Sequence, residues 1–146
     1  MIKGIKIAIG CDHAAFELKV RIIEYLEKNH AVVIDKGCYS SERVDYPDFG
    51  HAVAQSILIT EAEYGILMCG SGNGINMTAN KHKGIRSALC WNAEIASLAK
   101  QHNNANILTL PARFISYDEA IKCIEAFFSS TFEGGRHEDR LKKIDC

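Results

Sequence analysis

One cysteine stands directly before a glycine-rich loop, in a setting that favours thiol chemistry. Cys69 ends a continuous apolar run and is followed by Gly70-Ser71-Gly72-Asn73-Gly74. The N–H groups of such a loop, with the N-terminus of a following helix, form a positive concavity that binds an anion. The same field favours the thiolate form of a neighbouring thiol. The spacing is neither G-x-G-x-x-G nor G-x-x-x-x-G-K-[ST], so it supports neither a dinucleotide fold nor a P-loop.

A thiolate beside N–H donors suits two classes of reaction. The thiolate can attack an acyl group, with the donors serving as an oxyanion hole. It can instead remove a proton next to a carbonyl, with the donors holding the enediolate. The structural alternative is a tight turn behind a buried cysteine at a strand end. The loop alone does not decide among these three.

Further polar groups follow other predicted elements. Asp12 and His13 come after the first strand and offer a carboxylate and an imidazole to a sugar or a phosphate, or else cap a loop. His102 and Asn103 end a helix, where a histidine can shuttle the proton that opens a sugar ring or simply form a C-cap. Arg113 follows the fifth strand.

The charged C-terminal segment carries two arginines four residues apart. Arg136 and Arg140 share one face of a predicted helix, an arrangement that suits the oxygens of a phosphate. Alternatively, they pair on a solvated helix with the acidic neighbours Glu133, Glu138 and Asp139. We expect residues 133–146, which are too polar to pack alone, to reach a partner chain.

Strands and helices alternate along almost the whole chain, which predicts an α/β sandwich around a parallel sheet. Residues 36–47 are expected to form a long polar loop. Ligands of open parallel sheets bind at the carboxyl ends of the strands, and we expect all the polar groups named above to converge there. The predicted strands are 5–10, 31–35, 64–69, 85–90 and 106–110, and the predicted helices are 15–29, 48–60, a short one ending at 79, 92–101, one from 116 and 136–143.

Composition limits the class of protein. A length of 146 residues with 47% hydrophobic content fits one folded domain over residues 1–146 and excludes a disordered chain. A net charge of −1 argues against a dedicated nucleic-acid or membrane-surface binder. The six cysteines are widely spaced without a CxxC pair, and no secretory signal is visible, so we expect reduced thiols and a cytoplasmic location. No dense cluster of metal ligands is visible, and we expect no metal or cofactor.

Several short motifs occur together in an order typical of one family. The chain resembles the type B ribose-5-phosphate isomerases, whose family also contains the galactose-6-phosphate isomerase subunits. The resemblance covers nearly the whole chain, and the combination is far more specific than any single motif. The motifs are Gly10-Cys11-Asp12-His13-Ala14, Asp45-Tyr46-Pro47, Cys69 to Gly74, Ala79-Asn80-Lys81, Arg86, His102-Asn103-x-x-Asn106 and Glu133-Gly134-Gly135-Arg136-His137-x-x-Arg140.

The resemblance implies a single-domain, Rossmann-like three-layer sandwich with a five-stranded parallel sheet and a C-terminal helical extension. It implies a metal-free, cofactor-free aldose–ketose isomerase that interconverts ribose 5-phosphate and ribulose 5-phosphate through a cis-enediolate in the non-oxidative pentose phosphate pathway. The expected assembly is a homodimer, or a dimer of dimers, with each active site at a subunit interface. A sugar phosphate is the expected partner molecule, with no nucleic acid and no membrane.

The resemblance also implies residue roles. Cys69 carries the proton between C1 and C2, Ser71 assists, and His102 opens the furanose ring. Ser71 stands where threonine is common in the family, so the hydroxyl is kept but its rotamer is less restricted. The exact roles of Asp12 and His137 stay open. The expected substrate-binding set is Asp12, His13, Gly70, Ser71, Gly72, Asn73, Gly74, Asn103, Arg113, Arg136 and Arg140.

Three alternatives to this function stay open. A six-carbon sugar phosphate, such as allose or galactose 6-phosphate, is a close variant, since a pocket discriminates weakly against one extra carbon. A phosphate-binding module without catalysis would use Cys69 for packing only. A thiol acyl transferase would form a covalent thioester, which an isomerase does not.

Overall fold

The computed structural model describes residues 1–146 as alternating strands and helices. A single 3-10 turn at His13–Ala15 precedes the first α-helix. None of the helices has the length and apolar character needed to cross a lipid bilayer. The elements are β1 (Lys6–Cys11), α1 (Phe16–Lys28), β2 (Val32–Asp35), α2 (Tyr46–Leu58), β3 (Tyr64–Cys69), α3 (Asn73–Ala79), β4 (Ser87–Leu89), α4 (Ala93–Asn103), β5 (Ile107–Pro111), α5 (Tyr117–Ser129) and α6 (Arg136–Leu141).

All five strands join one parallel sheet in the order β2-β1-β3-β5-β4. The central strands β3 and β5 are apolar runs buried over almost their whole length, as expected of strands covered on both faces. Because the chain leaves β1 for β2 on one side and then returns to β3 on the other, the strand order reverses between β1 and β3. That reversal leaves a crevice at the carboxyl ends of these two strands.

Helices cover both faces of the sheet, so the predicted three-layer sandwich is confirmed. On one face, α1, α4 and α5 bury Ile22, Leu26, Ala96 and Phe127 against the sheet. On the other, α2 and α3 bury Val53, Ala54, Ile75 and Ala79. Each large apolar side chain removed from water stabilises the fold by roughly 1.5–3 kcal/mol.

Glycines let α2 approach the sheet closely. A Cβ on Gly10 of β1 would lie 2.8 Å from Val53 Cγ2, and one on Gly65 of β3 would lie 2.7 Å from Val53 Cγ1. Both separations are too short for real carbon atoms, so only glycine fits beneath Val53. The close packing fixes α2, and with it the side chain at its first residue, Tyr46.

The element boundaries differ from expectation mainly around residues 36–47. α2 begins at Tyr46 rather than residue 48, because Pro47 occupies its first turn, where its missing N–H costs nothing. The loop therefore ends at Asp45. β4 is limited to Ser87–Leu89, and α6 ends at Leu141 rather than residue 143. The other predicted elements are present within one or two residues of their expected ends.

Candidate active site

Cys69 lies at the crevice where the strand order reverses. The Asp12 N–H donates to the Met68 carbonyl across 3.2 Å, joining the ends of β1 and β3. The Ala112 N–H donates to the Cys69 carbonyl at 3.0 Å, joining β3 to the residue after β5. Cys69 is 5% exposed. Three strand ends therefore hold this thiol at a fixed place at the carboxyl edge of the sheet.

The loop after Cys69 presents unpaired backbone donors. The N–H groups of Gly70, Ser71 and Gly72 have no acceptor within the chain. The Ser71 hydroxyl accepts a 3.2 Å hydrogen bond from the Asn73 N–H, which leaves its own proton free for a ligand oxygen. Gly72 has φ +79°, and a Cβ there would lie 2.5 Å from Leu89 Cδ1, so the turn requires glycine.

Two longer side chains border this loop. The Arg113 guanidinium lies over Gly70, with Nη1 3.3 Å from the position a Cβ would take. The Tyr46 ring packs directly against Gly74, where any side chain would overlap it. Arg113 therefore adds a full positive charge to the partial charges of the N–H groups, and Tyr46 forms one wall.

Asp12 and His13 have defined local partners. One oxygen of the Asp12 carboxylate, Oδ1, accepts from the Ala14 N–H at 3.0 Å and so caps the 3-10 turn, while Oδ2 has no partner within the chain. His13 Nδ1 accepts from the Val44 N–H at 3.2 Å. Because that bond occupies Nδ1 as an acceptor, the ring proton of neutral His13 sits on Nε2, which can donate to a ligand.

His102 and Asn103 form the last turn of α4. The predicted C-cap is one residue off, since Asn104, with φ +43°, ends the helix in the left-handed region. Arg86 holds this turn: its Nε donates to the Asn103 carbonyl at 2.9 Å and its Nη2 donates to the Asn104 carbonyl at 2.9 Å. A guanidinium at the carbonyl end of a helix satisfies otherwise unpaired oxygens and opposes the negative end of the helix dipole.

The His102 ring is fixed by residues from the C-terminal segment. It stacks on the His137 ring with centroids 4.3 Å apart and planes inclined by 13°. Glu133 Oε1 lies 3.8 Å from His102 Nε2 and 3.5 Å from His137 Nε2. The Glu133 N–H donates to the Gln101 carbonyl at 3.0 Å. His137 is buried, so α6 attaches to the end of α4 through this histidine rather than standing free.

The arginines of α6 remain exposed. Arg136 and Arg140 lie four residues apart and neither forms an ion pair within the chain. The alternative in which they pair with Glu133, Glu138 and Asp139 is wrong, because no ion pair joins either arginine to these acids and the Glu133 carboxylate lies beside the two imidazoles. The guanidiniums are thus available to an anion.

The predicted site residues divide between opposite edges of the sheet. Asp12, His13, Cys69 and Arg113 lie at the carboxyl edge. The expectation that His102 would join them is wrong, because α4 starts near the carboxyl end of β4 and runs back, so its last turn precedes β5 at the amino edge. The five residues of β5 at about 3.3 Å each place the edges about 16 Å apart. Asn103, Arg136 and Arg140 lie with His102.

No cavity of a single chain contains Cys69. The largest cavity, about 290 Å³, lies at the amino edge and is lined by Arg86, Asn103 and Ile144 among others. A cavity of about 200 Å³ lies beside Tyr46 and Gly74, on the outer side of the loop. The single chain therefore encloses no substrate-sized pocket next to the buried Cys69.

The other buried thiols lie in a different environment. Burial raises the pKa of Cys90 to about 12 and that of Cys123 to about 11. Burial also raises the pKa of Cys11 strongly, with a further contribution from nearby Cys38. These three cysteines remain uncharged at neutral pH and serve as core residues.

Comparison with known proteins places the sequence in a family. The Ribose/Galactose Isomerase family model matches residues 7–144. The chain belongs to the ribose/galactose isomerase family. Ribose-5-phosphate isomerase B of Escherichia coli is 42% identical over 95% of this chain and 93% of that protein. A ribose 5-phosphate isomerase structure from Thermotoga maritima is 52% identical with a TM-score of 0.95, covering 97% of both chains. A structure of ribose-5-phosphate isomerase B from Mycoplasma genitalium with bound ribulose-5-phosphate is 42% identical with a TM-score of 0.91, covering 97% of this chain and 95% of that one.

In this ribose/galactose isomerase, three residues border the candidate site residues although the sequence alone did not assign them a place there. Tyr46 borders the glycine loop, and Glu133 and His137 surround His102. The sequence leaves the role of His137 open. A cluster of metal-ligating groups that is not visible in the sequence is also present in the fold, since His102, Glu133 and His137 place their ligating atoms within 4.8 Å of one another. Their separation of 31 and 35 residues in the chain gives no local signal.

Proposed function

We propose that this chain is an aldose–ketose isomerase that interconverts ribose 5-phosphate and ribulose 5-phosphate. The observation that carries the proposal is the fixed thiol of Cys69 beside free N–H donors, in a chain 42% identical to a relative whose structure holds ribulose-5-phosphate. A thiolate next to such donors suits removal of a proton adjacent to a carbonyl.

The proton transfer uses the carboxyl edge. The Cys69 thiolate removes the proton from C2 of the open-chain aldose, and the C–H electron pair becomes part of the C1–C2 double bond of a cis-enediolate. The N–H groups of Gly70, Ser71 and Gly72 stabilise the charge that develops on O1. The hydroxyl proton of O2 moves to O1, and the Cys69 thiol returns its proton to C1, which gives the ketose. The Ser71 hydroxyl donates a hydrogen bond to the enediolate oxygens.

Ring opening uses the amino edge. His102 takes the proton of the anomeric hydroxyl and delivers one to the ring oxygen, so that the C1–O bond of the ring breaks and the aldehyde forms. Glu133 and His137 act on this step as positioning residues. The stacked His137 ring fixes the plane of His102, and the Glu133 carboxylate lies 3.8 Å from His102 Nε2 and limits the rotation of that ring. Asn103, in the same helical turn, binds sugar hydroxyls.

A working site needs the carboxyl edge of one chain and the amino edge of another. The length of β5, five residues at about 3.3 Å each, sets the two edges about 16 Å apart, so one sugar phosphate does not reach from Cys69 at one edge to His102 at the other within a chain. In a two-fold dimer, each chain supplies Cys69 to one site and His102 to the other. Arg113 and His13 then approach the substrate from the Cys69 side, and Arg136 and Arg140 bind the phosphate from the partner's side.

Exposed apolar residues at the carboxyl edge support this dimer. Trp91 follows β4 and is 56% exposed, and Phe114 follows β5 and is 76% exposed. Large side chains at strand ends are poor candidates for permanent contact with water and are typical of the core of a protein interface. We infer a homodimer in which the α6 end of one chain covers this edge of the other. The six free cysteines agree with a reducing, cytoplasmic compartment.

Mixing two inactive variants tests the whole proposal. Wild-type protein with chelator present should convert ribose 5-phosphate, whereas Cys69→Ala and His102→Ala alone should not. Co-expression of the two variants should restore about a quarter of the wild-type activity, because half of the dimers are mixed and each mixed dimer contains one intact site. Cys123→Ala, a buried cysteine outside both edges, should stay active.

Three other results of these activity measurements would contradict parts of the proposal. No recovery in the mixture, with both variants folded, would show that each site is built from one chain. Wild-type turnover of a six-carbon sugar phosphate and not of ribose 5-phosphate would assign the alternative substrate. Phosphate-ester binding without turnover of either would indicate a binding module.

A further inference from the structure

We propose that His102, Glu133 and His137 form a binding site for Zn²⁺, and that the bound ion inhibits the isomerase. The binding half of this proposal stands on the geometry of the three side chains alone. The inhibitory half rests on the proposed function, in which His102 opens the sugar ring.

The three ligating atoms lie at suitable distances from one another. Glu133 Oε1 is 3.8 Å from His102 Nε2 and 3.5 Å from His137 Nε2, and all three atoms lie within 4.8 Å of each other. Tetrahedral Zn²⁺, with bonds of about 2.0–2.1 Å, holds neighbouring ligand atoms about 3.4 Å apart. Small rotations of exposed side chains are therefore enough to close the triangle around one ion.

The site combines one fixed ligand with two adjustable ones. The His137 side chain is 8% exposed, whereas those of His102 and Glu133 are 40% and 52% exposed. Their backbones are tied together, since the Glu133 N–H donates to the Gln101 carbonyl and Arg86 holds the last turn of α4. The exposed side leaves a fourth position for water, as in zinc sites with two histidines and one glutamate.

The donor set selects the kind of metal. Two imidazole nitrogens and one carboxylate suit Zn²⁺, Co²⁺ or Ni²⁺, whereas Mg²⁺ and Ca²⁺ require mainly oxygen ligands. A bound ion occupies His102 Nε2, the nitrogen that faces Glu133, and so removes the base that ring opening needs.

Binding is measured first, without reference to activity. Titration of the metal-free protein with Co²⁺ should produce the visible absorption of a four-coordinate site at one ion per chain, and Zn²⁺ should displace it. Glu133→Gln and His137→Gln should each weaken Co²⁺ binding at least tenfold. Glu133 is exposed, so its variant remains informative if loss of the buried histidine prevents folding.

The second histidine pair of the chain supplies the control. His51 Nδ1 and His82 Nε2 are 2.7 Å apart on the α2–α3 face, and no carboxylate completes that pair. His51→Gln should leave the Co²⁺ spectrum unchanged. A spectrum lost in His51→Gln, or retained in both Glu133→Gln and His137→Gln, overturns the proposed site.

Inhibition is then measured on the same preparation. Zn²⁺ should abolish isomerisation with the same half-saturation as Co²⁺ displacement, and chelator should restore it fully. Normal turnover with the site saturated overturns the inhibitory half. A protein that binds Co²⁺ but never isomerises ribose 5-phosphate, even with chelator, fails the proposed function and leaves the metal site standing.

Discussion

The two edges of the sheet are built on different principles. At the carboxyl edge, Cys69 ends β3 and the unpaired N–H groups lie in the loop that follows it, so their positions are set by the sheet itself. At the amino edge, the imidazoles of His102 and His137 at the ends of α4 and α6 are held by each other and by Glu133, while the guanidiniums of Arg136 and Arg140 are exposed. In the mechanism proposed above, the oxyanion is thus stabilised at the rigid edge, and the phosphate is bound by exposed side chains at the adjustable edge.

Loss of the thiol should give the largest effect. Cys69→Ala should lower kcat by about 10³-fold while KM changes little, because general-base catalysis contributes roughly 10²–10⁴-fold and binding uses other groups. Steady-state kinetics with ribose 5-phosphate measures both constants. Cys123→Ala is the matched control, since burial raises the pKa of that thiol to about 11 and it touches neither edge. Equal losses in the two variants would contradict the role of Cys69.

Loss of an arginine at the amino edge should change KM more than kcat. Arg136→Ala should raise KM about 10–100-fold with a smaller change in kcat, because a charge-assisted phosphate contact is worth about 1.5–3 kcal/mol in ground and transition states alike. Lys142→Ala, which removes a positive charge just beyond α6, controls for general electrostatic attraction. A large fall in kcat at unchanged KM would assign Arg136 to the chemical step.

The rigid edge should also be the less tolerant of added volume. Gly72→Ala should lower the free energy of unfolding by about 2–4 kcal/mol, combining left-handed backbone strain with overlap of Leu89. Gly4→Ala has nearly the same φ, +77° against +79°, but nothing within 4 Å of the new Cβ, so it should cost only the strain, about 1–2 kcal/mol. Urea unfolding of both variants separates the two contributions, and equal costs would contradict the steric one.

The smallest expected effect is on the pH dependence of stability and comes from the pair His51 and His82 on the α2–α3 face. Burial and the neighbouring His51 lower the pKa of His82, so the unfolded chain binds this proton more readily than the folded one. Stability should therefore fall as pH decreases through about 6.5, the pKa of an unperturbed histidine, towards the lowered folded value. His82→Gln should reduce that slope in unfolding experiments across this range. Parallel pH profiles for variant and wild type would contradict the assignment.

The contrast between the edges also explains what the sequence could predict. The glycine loop and Cys69 adjoin a strand that is evident from its apolar run, so their position follows from local pattern. The position of His102 follows from the direction of α4, which runs back from the carboxyl end of β4 to the amino edge, and the local motif around His102 does not indicate that direction. Glu133 and His137 are more than 30 residues from His102, and only the tertiary packing of α6 on α4 brings them together. Arg86 likewise acts through helix-end carbonyls that no motif reveals.

In the dimer proposed above, the two half-sites of each chain lie about 16 Å apart on one sheet, so the activity depends on how many chains are paired. On that proposal a single chain carries two half-sites and no whole one, and specific activity should fall on dilution as dimers dissociate and recover on concentration. Substrate, by bridging the two halves, should pull monomers together and shift that dilution curve to lower protein concentration. Catalytic output then rises more steeply than in proportion to the number of chains.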